Sequence, residues 1–331
     1  MPVTHRERIE RAITGDIPDS IPVSFWNHFP VDDQSPEKLA QSTIQFQRNY
    51  DLDFIKISPS SSFCIKDWSA ADIWKGNPEG TREYLEPVIK KPEDWTRLEI
   101  LDPKKGSLGK QLEAIKVIKK EIGSATPIIQ TIFNPLSQAK NLVGKSNLFV
   151  HMRKHPTALS EGLKTITETT HAFIKECRKI GTDGIFYAVQ HASYDMISEA
   201  EFESFIHKYD HGLFLSADEF WFNVLHIHGD NVMFDKLRDY PMHVFNWHDR
   251  ETPPTLEEGK KITSKTVCGG LGRIETMVTG DEIKIHSEVK EAIAQTGGRN
   301  FILGTGCVLP LTTPSGNIRS AVKIARSIRP V

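Results

Sequence analysis

Eight short apolar runs, most of them separated by amphipathic helical patterns, leave this chain very few folds. The runs are IPVSFWN (21–27), DFIKIS (53–58), PIIQTIF (127–133), GIFYAV (184–189), FNVLHIH (222–228), MHVFNW (242–247), TVCGG (266–270) and NFILGTG (300–306). Helical patterns follow the first run (35–51), precede the fourth (157–181) and flank the eighth (280–298 and 313–328). Near-continuous apolar strands alternating with helices imply a parallel sheet covered on both faces. Eight such units in 331 residues predict a (β/α)8 TIM barrel, one domain spanning 1–331. A doubly wound sheet is the alternative, but no GxGxxG follows the first strand to support it.

One interval departs from the repeat. The stretch 59–126 between the second and third runs is far longer than a βα loop needs. It holds Trp68, Trp74, Tyr84 and Trp95, with Asn77-Pro78-Glu79-Gly80 as a turn between two short extended segments. This predicts a β-hairpin excursion between strands 2 and 3, then a helix over 107–122. Such an excursion either covers the site at the upper rim or is an inert elaboration.

Charge and composition exclude several classes. With 41 Lys+Arg against 43 Asp+Glu, there is no basic excess to neutralise nucleic-acid phosphates. No apolar run reaches the ~18–20 residues that a membrane span requires. The opening MPVTHRERIERAITG reads as an amphipathic helix without an apolar leader core. Cys64, Cys177, Cys268 and Cys307 are scattered without CxxC pairing, which suits a reducing compartment. The expectation is a cytoplasmic protein that acts on a small molecule. GxSxG, Walker and HExxH motifs are missing.

In a barrel, catalytic groups sit at the C-terminal ends of the strands. Those ends here carry Asn27-His28, Ser58, Asn134, Gln190-His191, His226-Ile227-His228, Trp247-His248-Asp249, Gly269-Gly270 and Gly306-Cys307. Five of the 13 histidines fall on them, more than an even scatter would place there. Residues i and i+2 on a strand share a face, so His226 and His228 can converge, and Cys307 closes the eighth strand across the mouth. Two imidazoles and a thiolate suit a tetrahedral catalytic zinc with one open position. Satisfied core histidines and a buried thiol are the competing reading of the same residues. His28 and His248 are candidates for fourth ligand, general base or substrate contact, with Asp249 and Glu251 as displaceable oxygen ligands. Asp230 could orient a ligating histidine through its second nitrogen. Asn27, Asn134 and His191 are candidate cofactor contacts.

RERIERAITGDIPDSIPVSF (6–25), PEDW (92–95) and LGTGCVLPLTTPSGNIRSAV (303–322) resemble the uroporphyrinogen decarboxylase superfamily, nearly end to end. The resemblance implies a (β/α)8 barrel, commonly a homodimer, with its site at the strand C-termini. Porphyrinogen decarboxylases carry an arginine-rich segment after strand one and an aspartate after strand two. This chain reads WNHFPVDDQ (26–34) and SPSSSF (58–63) there, which speaks against tetrapyrrole decarboxylation. The resemblance is closer to the zinc-dependent methyltransferases acting on corrinoid proteins or thiols. Their ligands are His-x-Cys after strand five and a Cys in a GxGC-like turn at strand eight. His226, Gly304-Thr305-Gly306 and Cys307 match that pattern, and His228 stands where the family has cysteine. A neutral imidazole in place of a thiolate leaves the site more positive and the metal a stronger Lewis acid.

The expectation is therefore a methyl or alkyl transferase with Zn2+ on His226, His228 and Cys307, drawing on a methyl-corrinoid carried by a partner protein. A metal-free decarboxylase or lyase using the same histidines is one alternative. A non-catalytic corrinoid- or tetrapyrrole-binding protein is another.

Overall fold

The computed structural model describes residues 3–329. In chain order its strands are β1 (Ile55–Ile57), β2 (Asp72–Ile73), β3 (Glu83–Tyr84), β4 (Ile128–Phe133), β5 (Gly184–Val189), β6 (Val224–Ile227), β7 (Val244–Trp247), β8 (Thr266–Leu271) and β9 (Phe301–Thr305). Seven of them form one parallel sheet in the order β1-β4-β5-β6-β7-β8-β9, with helices between successive strands, and β2 and β3 pair antiparallel on their own. The molecule is a (β/α)8 barrel with the expected hairpin excursion.

The first predicted strand, 21–27, needs correction. It closes the barrel through a single parallel bridge, Val23 to Leu303, and not through a ladder. Leu303 N–H donates to the Pro22 carbonyl at 2.8 Å, and Asp53 N–H to the Val23 carbonyl at 2.9 Å, so the segment joins β9 to β1. The ladder stops there for a chemical reason. Pro22 has no N–H, and the Val23 N–H is taken at 2.6 Å by the Asp53 carboxylate.

The lumen is filled from bottom to top by apolar side chains including Ile9, Trp26, Phe54, Phe186, Val224, Val244 and Ile302, ending at Cys307 and Val308. Ile9 and Ala12 come from the helix His5–Thr14, which plugs the N-terminal face. Thr4 and Glu7 cap that helix reciprocally, and Thr266 Oγ1 donates to the Ala12 carbonyl, fixing the plug to β8. A larger apolar layer lies between the sheet and the outer helices. With the bottom sealed, the lumen opens only at the top. No helix of the described residues is long and apolar enough to cross a membrane.

The excursion reaches over that top. Its turn forms at Asn77–Gly80, where Gly80 N–H donates to the Asn77 carbonyl. Gly80 is at φ +77°, and a Cβ there would lie 2.5 Å from His28 Cβ, so the tip packs directly on His28. Leu311 N–H donates to the Pro78 carbonyl at 2.7 Å, and Glu79 pairs with the buried Arg273. Of the two readings of the excursion, the covering one holds.

Candidate metal centre

Four side chains from three strand ends converge at the covered mouth. His226 lies within β6 and stacks on Phe186, with ring centroids 5.2 Å apart. His228 follows the strand and is held by its N–H to the Val189 carbonyl at 2.9 Å. His248 follows β7, and Cys307 follows β9 in the Gly306 turn. That turn must run against β7: a Cβ on Gly306 would sit 2.6 Å from His248 Cα and 2.7 Å from the Trp247 carbonyl. Only glycine allows the approach that carries Cys307 to the histidines.

The donor atoms of His226, His228, His248 and Cys307 all lie within 4.8 Å of one another. Cys307 Sγ is 3.6 Å from His226 Nε2 and 3.7 Å from His228 Nδ1, and His248 Nε2 is 3.3 Å from His228 Nδ1. A tetrahedral ion with bonds of about 2.3 Å to sulfur and about 2.0 Å to nitrogen has N···S edges of about 3.5 Å and N···N edges of about 3.3 Å. These three edges have the dimensions of such a coordination shell.

Its lone pairs also point the right way. Asn246 Nδ2 donates to the carbonyls of Cys268 (2.9 Å) and Thr305 (3.0 Å), so its amide cannot flip. Oδ1 must then face His226 Nδ1 at 2.7 Å and accept its proton, which leaves Nε2 unprotonated toward Cys307. Glu251 Oε2 does the same for His248 Nδ1 at 3.0 Å, freeing Nε2. Burial alone would raise the Cys307 thiol, but His226, His228 and His248 around it outweigh that and hold it well below its ordinary range. Burial would lower His248, yet Cys307 and Glu251 lift it to about 9. A thiol and an imidazole each driven toward charge, buried side by side, belong to a group of donors that could hold a cation.

The other predicted residues divide. Glu251 acts through His248. Asp249 turns away: its Oδ2 accepts from Gly270 N–H at 3.0 Å, and burial pushes its pKa up to about 7. Asp230 bonds neither His226 nor His228, and Asn246 and Glu251 perform the orienting role expected of it. Asn134 caps the helix Pro135–Val143, accepting from Ser137 N–H at 3.1 Å and donating to Asp210, so its amide is engaged there. Asn27 Oδ1 and His28 Nδ1 are buried without hydrogen-bond partners. Burial and the nearby Lys56 hold His28 down at about 4. His191, also with an unpartnered Nδ1, lines a cavity with His228.

Sequence reasoning passed over Asn246 and Lys56. An asparagine inside VFNW was the available signal, since asparagine is depleted from strands. Lys56 carried the same kind of signal in DFIKIS. It is buried, donates to Ser58 Oγ at 3.0 Å and lies 4.9 Å from the Phe186 ring centroid, and burial brings its pKa down to about 8. Asn246→Leu should strand two carbonyls and free the His226 ring to change tautomer. Metal affinity, measured by chelator competition, should fall about 10–100-fold, the usual cost of losing an outer partner of a ligand. Unchanged affinity would show that Asn246 does not orient the ligand.

The family model described as uroporphyrinogen decarboxylase (URO-D) matches residues 4–328. A relative named methylcobamide:CoM methyltransferase MtaA, from Methanosarcina barkeri, is 27% identical, and the match covers 64% of this chain and 61% of the relative. This chain thus spans about three-fifths of that relative's length. A methylcobamide:CoM methyltransferase MtbA from Methanosarcina mazei is 21% identical over 98% of each chain. Among solved structures, a methyltransferase from Methanosarcina mazei superposes with a TM-score of 0.86 at 21% identity, covering 98% of this chain and 99% of its own. A B12-independent methionine synthase from Shewanella gives 0.53 at 14% identity, over 94% of each.

Proposed function

From the premise that this chain belongs to the uroporphyrinogen decarboxylase family, we propose that it is a zinc-dependent methyltransferase passing a methyl group from a corrinoid on a partner protein to a thiol. The observation that carries the reading is the four-donor cluster, three of whose edges match a tetrahedral shell and whose His226 and His248 rings are oriented from outside. The named relatives support it, being methylcobamide:CoM methyltransferases. Bound zinc would supply a Lewis acid that holds an acceptor sulfur as its thiolate near neutral pH.

The residues have separable tasks. His226, His228 and Cys307 would hold the ion. His226 is locked deepest, between Phe186 and Asn246. Of the residues that would hold the ion, His248 would be the one to give way to an acceptor sulfur, because Glu251, its anchor, is partly exposed and belongs to a loop and not to the barrel wall. His248 Nε2 can then take the thiol proton, with Nδ1–H still held by Glu251. The hairpin tip packed on His28 would cover the site from above when an acceptor is bound. A methyl-corrinoid on the partner would supply the methyl group and keep the electron pair of the bond it loses, while the sulfur beside His228 and His248 would receive the methyl group. Decarboxylation of a polycarboxylate fits poorly, since WNHFPVDDQ (26–34) offers substrate carboxylates no arginine.

Titrating cobalt-substituted protein with small thiols should release a proton and raise a sulfur-to-cobalt charge-transfer band beyond that of Cys307 alone. If no thiol changes the band, and X-ray absorption finds a single sulfur neighbour throughout, thiol activation is wrong.

A further inference from the structure

A cavity of about 480 Å³ opens beside the cluster, with His228 in its lining. Its charged groups are arranged by the strand order. Lys140 and Lys145 come from the helices after β4, His191 from the end of β5, Asp195 from the loop beyond it, and Asp230 from the end of β6. Because β4, β5 and β6 are neighbours in that order, the lysines stand on one wall and Asp230 on the other, with His191 between them.

Lys140 is partly buried, and its ammonium is disfavoured by burial and then by Lys145. Among the described residues neither lysine is paired with a carboxylate. His191 is 3% exposed, lies close enough to Lys140, His228 and Lys145 to feel their charge, and leaves its Nδ1 without a partner. On the facing side Asp195 Oδ1 accepts from Asn231 Nδ2 at 2.7 Å, with its second oxygen open, and the Asp230 carboxylate is exposed. An uncompensated cationic wall facing an acidic wall, with an idle buried imidazole between, is the counterpart of a ligand that carries both charges.

We propose that this cavity seats the acceptor, and that the acceptor is a small zwitterionic thiol. It would be an amino acid whose carboxylate meets Lys140 and Lys145, whose ammonium faces Asp195 and Asp230, and whose sulfur reaches the metal beside His228. The inference rests on the thiol-acceptor reading above. A plain anionic thiol would satisfy the lysines but be repelled by the acidic wall, and a neutral thiol would satisfy neither.

The decisive measurement separates the cavity from the metal. Calorimetric titration of the zinc-loaded full chain with thiol-free probes should show 2-aminobutyrate binding at least about tenfold more tightly than butyrate or butylamine. Lys140→Met should weaken 2-aminobutyrate and butyrate about tenfold and leave butylamine alone. The double variant Asp195→Asn/Asp230→Asn should weaken 2-aminobutyrate and butylamine a few-fold, less because these carboxylates are exposed, and spare butyrate. Both variants alter the surface, and unchanged melting curves would show that they fold. Butyrate binding as tightly as 2-aminobutyrate, no probe binding at all, or substitutions that do not discriminate among the probes would each overturn the proposal. If 2-aminobutyrate binds as described but homocysteine leaves the cobalt band unmoved, amino-acid recognition stands and thiol activation falls.

Discussion

Purified without an affinity histidine tag, the full chain should carry about one zinc, and Cys307→Ser should lose nearly all of it. Cys307 supplies the only anionic donor in the cluster, and a serine hydroxyl cannot take its place as a neutral-pH anion. The loss should exceed the ~10–100-fold expected for Asn246→Leu, because it removes a ligand and not merely a ligand's partner. His226→Ala should behave alike. Circular dichroism should remain that of the parent, since the lumen below the cluster is packed by Trp26, Phe54, Phe186 and Phe222 without help from an ion. Asp249→Asn should keep its zinc, because that carboxylate bonds the Gly270 amide and lies outside the cluster. Full zinc content in Cys307→Ser would remove the ligand assignment, and zinc lost from Asp249→Asn would redraw it.

The second large effect belongs to Asp53, far from the chemistry. Its buried carboxylate accepts from Arg8 (2.6 Å) and His5 (2.9 Å) on one oxygen, and from Val23 N–H (2.6 Å) and Arg326 (2.8 Å) on the other. It therefore ties the plugging helix, the bridging segment 21–27 and the last helix to the foot of β1. Asp53→Asn should cost about 3 kcal/mol in denaturant unfolding, since breaking a buried ion pair leaves the remaining charges uncompensated. Arg8 keeps its pairing with Asp19, which holds the cost at the lower end of such losses. Burial would raise the Asp53 pKa, but His5, Arg326 and Arg8 outweigh it and hold it below the ordinary 3.8. A depressed folded value means stability that is fully present above about pH 4 and lost as pH falls through the folded pKa. The parent should lose this contribution on acidification, and Asp53→Asn should show a flatter profile there. A change under about 1 kcal/mol, or an unaltered acid limb, would remove Asp53 from this role.

The barrel and the convergence of His226, His228 and Cys307 at its mouth were legible in the chain itself. Strand and helix periodicities are local, and eight repeats of them admit few architectures. Strand ends can be read off without knowing which strand meets which, so His226, His228 and Cys307 stood out from spacing alone. The hairpin was visible in Asn77–Gly80 for the same reason, because turn chemistry lies within four residues. Other features were decided only by closure of the barrel. Segment 21–27 reads as a full strand, yet Pro22 and the Asp53 carboxylate, 30 residues away, reduce it to a bridge. Asn246 orients His226 only because Cys268 and Thr305, 22 and 59 residues distant, pin its amide. Glu251, and not Asp230, orients a histidine of the cluster because the chain beyond β7 folds back on His248. The hairpin's position over His28 depends on Glu79 reaching Arg273, 194 residues on. Composition and period specify elements through interactions between neighbours, and those are written in sequence order. Hydrogen bonds that fix a tautomer, and walls of opposite charge around a cavity, join residues whose proximity exists only once the sheet has curled and closed.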